Sequence, residues 1–292
     1  MIDTQTKLFG VIGDPIEHSL SPLMQNWMIR LFGRNAVYTA FHVRQDELAS
    51  AMQGMKALKI AGFNVTIPHK EAVVRYATEK SHEVALLNAA NTLKHQDNAI
   101  SAHVTDPAGF IESLSSLQKM FDGASVVLLG AGGSARSIAY ALSVLKVNQL
   151  TIVNRTAERA AKLSHMARSR FGIPVVRTLT PDDARLNDAI EASTILINAT
   201  SVGMYPHVDA SPLPDHSAIN SAHFVYDLIY NPAKTFLLRQ AEKRGAGIQN
   251  GLDMLIFQGL ESLRFWFDEQ FVLDSASLTE LRTILNKALG NE

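Results

Sequence analysis

The sequence predicts a two-domain α/β protein: an N-terminal α/β domain, then a Rossmann-like, doubly wound sheet, with C-terminal helices packing back on the first domain. Three observations carry this. The chain has 292 residues, a length that suggests about two domains. Short apolar runs alternate with helical periodicities from Leu8 onward, the rhythm of an α/β fold. One run, Val126-Val127-Leu128-Leu129, empties directly into Gly130-Ala131-Gly132-Gly133-Ser134-Ala135 and then a helical pattern, which reads as strand, glycine turn and helix.

Composition narrows the function classes. Charge is balanced, 27 basic against 28 acidic residues, so nothing favours nucleic acid or an anionic membrane as partner. Without cysteine there is no disulfide, thiolate metal site or cysteine nucleophile, and the ten histidines lack ligand spacing, so no metal is expected. The stretch from Met1 to Lys7 is polar and no apolar run approaches the ~18 residues of a membrane span, which makes the cytoplasm the expected compartment.

In the first domain, residues 8–13 form an apolar strand that runs into Asp14-Pro15-Ile16-Glu17-His18-Ser19-Leu20-Ser21-Pro22. Pro22 suits a first helical position, so Ser21 is the expected N-cap of a helix with Leu23, Trp27 and Leu31 on one face. In an extended segment Ser19 shares a side with Ser21, giving two hydroxyls beside a positive helix end, suited to a carboxylate. A second strand (36–43) and a helix through Leu48, Met52, Met55 and Leu58 follow. In Phe63-Asn64-Val65-Thr66-Ile67 the period of two puts Asn64 and Thr66 on one face and the apolar residues on the other. Pro68-His69-Lys70 then ends the strand and opens a helix, leaving Lys70 at the strand's carboxyl end, where open α/β sheets bind ligands. Asp106 falls on a turn before Pro107 and Gly109, a plausible helix cap. Residues 1–108, completed by helices within 250–292, make the first domain.

Residues 109–249 make the second. In G-x-G-x-x-A the first glycine permits the tight turn, the second admits a pyrophosphate to the backbone, and Ala135 lets helix approach strand. Free N–H groups of the glycine turn, Gly130 to Ser134, face the phosphates. The next strand, Leu150-Thr151-Ile152-Val153, ends where the ribose lies, and NAD sites usually present Asp or Glu there. Here stands Asn154-Arg155-Thr156. Arg155 can pair with a 2′-phosphate or stack on adenine, with Thr156 and Arg159 in reach, so the expected cofactor is NADP. The competing reading is that Arg155 and Arg159 are merely solvated charges. Further strands are expected at 173–177, 194–199 and 224–228, with Asn198-Ala199-Thr200 leaving the second of these as a loop over the nicotinamide. A helix ends at Arg244-Gly245. From Gly251 a long helix carries Leu252, Leu255, Gly259, Leu263 and Phe267 on one stripe with Gln258 off it. Ser277 and Glu280 read as the capping box of a last helix, with Leu278, Leu281, Leu285 and Ala288 inward.

With these motifs in order along nearly its whole length, the chain resembles the shikimate dehydrogenase family. The matching residues are Ser19-Leu20-Ser21-Pro22, Asn64-Val65-Thr66-Ile67-Pro68 with Lys70, Asn91-Thr92, Thr105-Asp106, Gly130 to Gly133, Asn154-Arg155-Thr156, Asn198-Ala199-Thr200, Tyr230 with Pro232, and Gly251-Leu252 with Gln258. The resemblance implies that Ser19, Ser21, Asn64, Thr66, Asn91, Tyr230 and Gln258 hold the carboxylate and hydroxyls of a cyclohexene acid, with Lys70 and Asp106 as the catalytic pair. It assigns Gly130, Ala131, Gly132, Gly133, Ser134, Asn154, Arg155, Thr156, Arg159, Thr200, Gly251 and Met254 to the cofactor. It implies a monomer or homodimer and an NADPH-linked interconversion of 3-dehydroshikimate and shikimate, a step toward aromatic amino acids. Proton transfer at a ring alcohol suits a lysine beside an aspartate: the carboxylate favours the ammonium, which then acts as acid in reduction.

The chain departs from the family's usual G-x-N-T-D-G-x-G at Ala102-His103-Val104-Thr105-Asp106-Pro107-Ala108-Gly109. Asn88 and Asp253 also stand where glycines are usual. Two other readings therefore stand beside the first, a paralogue acting on quinate or a related cyclohexane carboxylate and a non-enzymatic NADPH sensor. Sensing gives no reason to keep Lys70 and Asp106 together.

Overall fold

Alternate residues of each apolar strand face different sides of a sheet, and in the computed structural model, which describes residues 2–290, this alternation sorts the core. The chain divides into two units, one running to Gly109 and resuming over Leu255–Gly290, the other spanning Phe110–Met254.

The first unit holds β1 (Lys7–Gly13), α1 (Ser21–Leu31), β2 (Ala36–His42), α2 (Leu48–Ala57), β3 (Gly62–Val65), β4 (Glu79–Lys80), α3 (His82–Leu87), β5 (Thr92–Gln96), β6 (Ala99–His103) and the start of α4 (Asp106–Leu114). Its sheet runs β2-β1-β3-β5-β6-β4, with β1 parallel to β2 and β3, and β5 antiparallel to both neighbours.

The second unit continues with β7 (Ser125–Leu129), α5 (Gly133–Val144), β8 (Gln149–Val153), α6 (Ala157–Ser169), β9 (Val175–Leu179), α7 (Leu186–Glu191), β10 (Ile195–Asn198), β11 (Phe224–Asp227), α8 (Phe236–Lys243) and β12 (Gly247–Gln249). Its sheet is parallel throughout, in the order β12-β11-β10-β7-β8-β9. Val126, Leu128, Ile152 and Ile197 enter one core; Val127, Leu129, Val153 and Leu196 enter the other. Burial on both faces is why these strands read as unbroken apolar runs. The order reverses between β7 and β10, and at such a switch point the carboxyl ends leave a crevice for ligand.

α9 (Leu252–Phe267) starts in the second unit and its stretch from Leu255 belongs to the first, as does α10 (Ser275–Ala288). Trp266 stacks on Phe9 with centroids 4.6 Å apart, and its indole N–H donates to the Leu93 carbonyl at 2.9 Å. Gly62 makes room, since a Cβ there would sit 2.4 Å from that indole nitrogen. No helix among the described residues is long and apolar enough to cross a membrane.

Several local expectations are corrected. α1 buries Met24, Gln25, Met28 and Ile29, while Leu23 and Leu31 are exposed. Its N-cap is Leu20 rather than Ser21, which occupies the first helical position. α10 begins at Ser275, capped by the Asp274 carboxylate accepting from the Ser277 N–H, so Ser277 is already the third helical residue and Glu280 lies in the second turn rather than at a cap. Leu281 and Leu285 are buried as expected, but Ala288 is exposed. α9 buries Leu252, Gly259 and Leu263 together with Ile256, Leu260 and Trp266, whereas Leu255 and Phe267 are only half-buried. Leu58, beyond the end of α2, is exposed, as is Ile67 beyond β3. Asp106 is the first residue of α4 rather than a turn residue, and Lys70 precedes a short 3-10 turn over Ala72–Tyr76.

Candidate active site

In the first unit the carboxyl ends of β1 and β3 and the start of α4 bring the sequence-predicted polar residues into one group. Lys70 and Asp106, 36 positions apart in sequence, meet with Nζ and Oδ2 separated by 2.6 Å, their side chains 16% and 8% exposed. The turn at Lys70 is fixed from both sides. His69, fully buried, donates its Nε2 proton to the Val43 carbonyl at 2.6 Å, and the Lys70 carbonyl accepts from the Ala90 N–H at 2.8 Å. Asp106 opens α4, where the helix N-terminus favours its negative charge.

Asn91 fastens the other carboxylate oxygen. Its amide donates to Asp106 Oδ1 at 2.8 Å and to Thr105 Oγ1 at 2.9 Å, and its oxygen accepts from the Thr105 N–H at 2.8 Å. Asn64 continues the network. Its oxygen accepts from the Tyr38 hydroxyl at 2.8 Å, which orients the amide, and its nitrogen donates to Ser262 Oγ at 2.9 Å and Thr92 Oγ1 at 3.1 Å. Burial pushes the Tyr38 phenol well above the usual range. Ser19 Oγ accepts from the Ser21 N–H at 3.3 Å. Tyr38, Asn64, Asn91, Asp106 and Lys70 thus form one connected polar chain. Thr66 is half-buried, its methyl filling the space that a Cβ at Gly13 would need. Gln258 lies beside Thr105, its Oε1 accepting from that hydroxyl at 3.5 Å, and packs on Gly109, where a Cβ would come within 2.6 Å of the Gln258 nitrogen.

In the second unit Gly130 adopts φ +110°, a conformation that favours glycine, with its N–H on the Val153 carbonyl at 2.7 Å. A Cβ on Gly132 would meet open space, so this backbone is approachable, and α5 begins at Gly133 with Ser134 half-buried behind it. Ala131 is buried, as is Ala135, against which the helix packs. After β8, the Asn154 amide donates to the Thr156 carbonyl at 2.9 Å, leaving the backbone of Arg155 between them in a tight turn. Arg155, Thr156 and Arg159 are exposed, and neither guanidinium has an ion pair among the described residues. Two unpaired cations beside a glycine turn and a helix N-terminus suit an anionic ligand such as a nucleotide phosphate. Thr200 donates from its hydroxyl to Asn198 Oδ1 at 2.7 Å; Tyr230 is half-buried; Gly251 and Met254 are buried.

Known proteins place this arrangement. Residues 11–93 match the shikimate dehydrogenase substrate-binding domain and residues 112–210 match the shikimate/quinate 5-dehydrogenase domain. The shikimate dehydrogenase (NADP(+)) of Moorella thermoacetica is 37% identical over 289 residues, spanning 99% of this chain and 96% of that protein. The chain belongs to the shikimate dehydrogenase family. Among solved structures, the Listeria monocytogenes shikimate 5-dehydrogenase in complex with shikimate and NAD superposes with a TM-score of 0.87 at 31% identity, covering 97% of this chain and 98% of that one. Quinate dehydrogenase from Corynebacterium glutamicum in complex with NAD gives 0.85 at 27% identity, covering 96% and 99%.

Five of the residues in the departing segments, Ala102, His103, Val104, Pro107 and Asn88, have physical explanations. Ala102 and Val104 are buried and His103 stacks on Phe265 with centroids 5.1 Å apart, so that segment is tied to α9; burial pulls the His103 imidazole below its usual range. Pro107 sits in the first turn of α4, where its missing N–H costs no helical hydrogen bond. Asn88 takes φ +48°, a left-handed conformation that asparagine tolerates better than most residues, and ends α3. Sequence reasoning missed Tyr38 and Ser262 as parts of the polar chain. Ser262 had a signal, a hydroxyl four residues after Gln258 on the same helix face; Tyr38 had none, reading as an ordinary strand aromatic.

Proposed function

We propose that this chain is an NADP-dependent shikimate dehydrogenase, interconverting 3-dehydroshikimate and shikimate. The observation that carries the reading is the Lys70 and Asp106 pair, 2.6 Å apart and largely buried. Hydride exchange at a ring alcohol requires a group that moves the hydroxyl proton, and an ammonium held on a carboxylate does this. In reduction Lys70 delivers a proton to the alcohol oxygen and stabilises its alkoxide character; Asp106, held by Asn91, keeps the ammonium aimed. The two groups act as a unit. Bound NADP supplies or accepts the hydride. Gly130 to Ser134 receive its pyrophosphate, Arg155 with Asn154, Thr156 and Arg159 its adenosine phosphate, and Thr200, Gly251 and Met254 its nicotinamide end. Ser19 and Ser21 take the substrate carboxylate, and Thr66, Asn91, Tyr230 and Gln258 its hydroxyls. Asn64, whose amide is engaged by Tyr38, Thr92 and Ser262, contributes by framing these groups. On this reading, residues 1–108 with the C-terminal helices bind substrate and residues 109–249 bind cofactor, except that Tyr230 serves the substrate and Gly251 and Met254 serve the cofactor.

The test offers purified protein shikimate and quinate, each with NADP and with NAD, while nicotinamide absorbance is followed. Quinate carries an extra hydroxyl beside its carboxylate, and a buried hydroxyl without a partner costs about 1–3 kcal/mol, so shikimate with NADP should lead by roughly ten- to a hundredfold in kcat/KM. Quinate leading would assign the chain to the paralogue reading. Silence on both acids with NADPH still bound would assign it to a sensor.

A further inference from the structure

One buried carboxylate in the second unit lies outside the chemistry assigned so far. Asp227, the last residue of β11, is fully buried. Its Oδ1 accepts from the Asn198 amide and from the Ile229 N–H, each at 3.0 Å, and its Oδ2 accepts from the Thr235 hydroxyl at 2.7 Å. Desolvation raises its pKa to about 6 against the pull of those three donors. Burying a carboxylate costs folding free energy that an apolar residue would not, so stability alone gives no reason for an acid here.

The three partners lie on two loops. Asn198 ends β10, and its Oδ1 accepts from the Thr200 N–H at 3.0 Å and the Thr200 hydroxyl at 2.7 Å, moulding the loop that follows onto one amide. Val202 N–H then donates to Thr200 Oγ1 at 3.1 Å. On the other side, Ile229 immediately precedes Tyr230, and Thr235 caps α8 by accepting from the Leu238 N–H at 3.3 Å. The two loops meet again where the Tyr205 N–H donates to the Asn231 carbonyl at 3.1 Å. The loop before α9 is locked to the second of them, because the Gly251 N–H donates to the Ile229 carbonyl at 3.2 Å and a Cβ on Gly251 would lie 2.0 Å from the Leu228 oxygen.

We infer that Asp227 is a positioning residue that holds the loop carrying Thr200 and the loop carrying Tyr230 in one fixed arrangement. The inference rests on the proposed function only in treating those loops as ligand-binding. Asp227 acts through Asn198, Ile229 and Thr235. An acceptor-only group is required, since all three partners donate to it. An asparagine would turn an NH2 toward one of them and remove the negative charge to which all three donate.

The experiment compares Asp227→Asn, Thr235→Val and the conservative Thr235→Ser by hydrogen–deuterium exchange of peptides covering 198–205 and 228–235, alongside steady-state kinetics. In Asp227→Asn, exchange in both loops should rise about tenfold, as expected for the loss of one hydrogen bond to a charged group, while β7 and β8 keep their protection. KM for shikimate and for NADP should rise together, by more than kcat falls. Thr235→Val should loosen 228–235, and Thr235→Ser should restore it. Loops exchanging at unmutated rates, a uniform rise across the whole second unit, or unchanged KM values beside loosened loops would each overturn the inference. Should Asp227→Asn not fold, the Thr235 pair decides the question by the same exchange and KM readouts. Exchange is read without substrate, so an unmutated protein silent on shikimate would fail the functional reading while the loops still report on this one.

Discussion

The polar group around Lys70 and the cationic rim around Arg155 are built on opposite plans. In the first, side chains are committed to one another: Lys70 to Asp106, Asp106 to Asn91, Asn64 to Tyr38 and Ser262. In the second, two arginines stand exposed without an ion pair among the described residues. The difference is one of preorganisation. A group that must move a proton within hydrogen-bond reach gains from being held before its partner arrives, whereas a cation that binds a phosphate gains from having no internal anion to give up. Mutation can break either plan separately.

The largest effect belongs to Lys70. Lys70→Ala should lower kcat by about 100- to 10,000-fold, the scale of a general acid–base group, while NADPH affinity, measured by fluorescence titration, barely changes. Near-full turnover at saturating substrate would remove Lys70 from the chemistry. Next comes Arg155→Ala, which should raise KM for NADP by roughly ten- to a hundredfold, the loss of a charge-assisted hydrogen bond, and leave KM for NAD almost unmoved. Equal efficiency with both cofactors in the unmutated protein would contradict the open-cation plan. The smallest change tests how far the committed network tolerates thinning. Ser262→Ala removes one partner of Asn64 while Thr92 and the Asn91 carbonyl remain, so it should cost about 1 kcal/mol of stability by thermal denaturation and lower kcat/KM less than tenfold.

How much of this was legible in the sequence depended on the range of the interaction. The glycine turn was legible because strand, turn and helix are all local, and φ +110° at Gly130 is a demand one residue makes of itself. The hairpin joining β5 and β6 was equally local and was overlooked: Asp97-Asn98, with φ of 49° and 66°, is a two-residue turn with the residue types that favour it. The buried face of α1 was not legible. Leu23, Trp27 and Leu31 make a stripe by spacing, yet Met24 and Met28 are the residues buried, Met24 against Gly259 of α9, and Trp27 instead reaches Glu280 on α10 at 3.4 Å. The pairing of Lys70 with Asp106 followed from no periodicity at all, since it depends on β3 and α4 being brought together by the sheet; the family resemblance supplied it. The cap of α10 failed for a subtler reason: Asp274 and Ser277 are both good N-cap residues three positions apart, and with Asp274 taking the Ser277 N–H the helix starts one turn earlier, which puts Ser277 inside it.

The placement of α9 orders events during synthesis. The first unit closes with Leu255–Gly290, and Asn64 and Leu93 find partners in Ser262 and Trp266 only when that stretch exists. A growing chain therefore makes the sheet of the first unit early and leaves the polar floor around Asn64 unfinished, while the whole of Phe110–Met254 emerges with every strand it requires. The unit begun first is completed last, and the middle of the chain is free to fold before either of its ends has a finished neighbour.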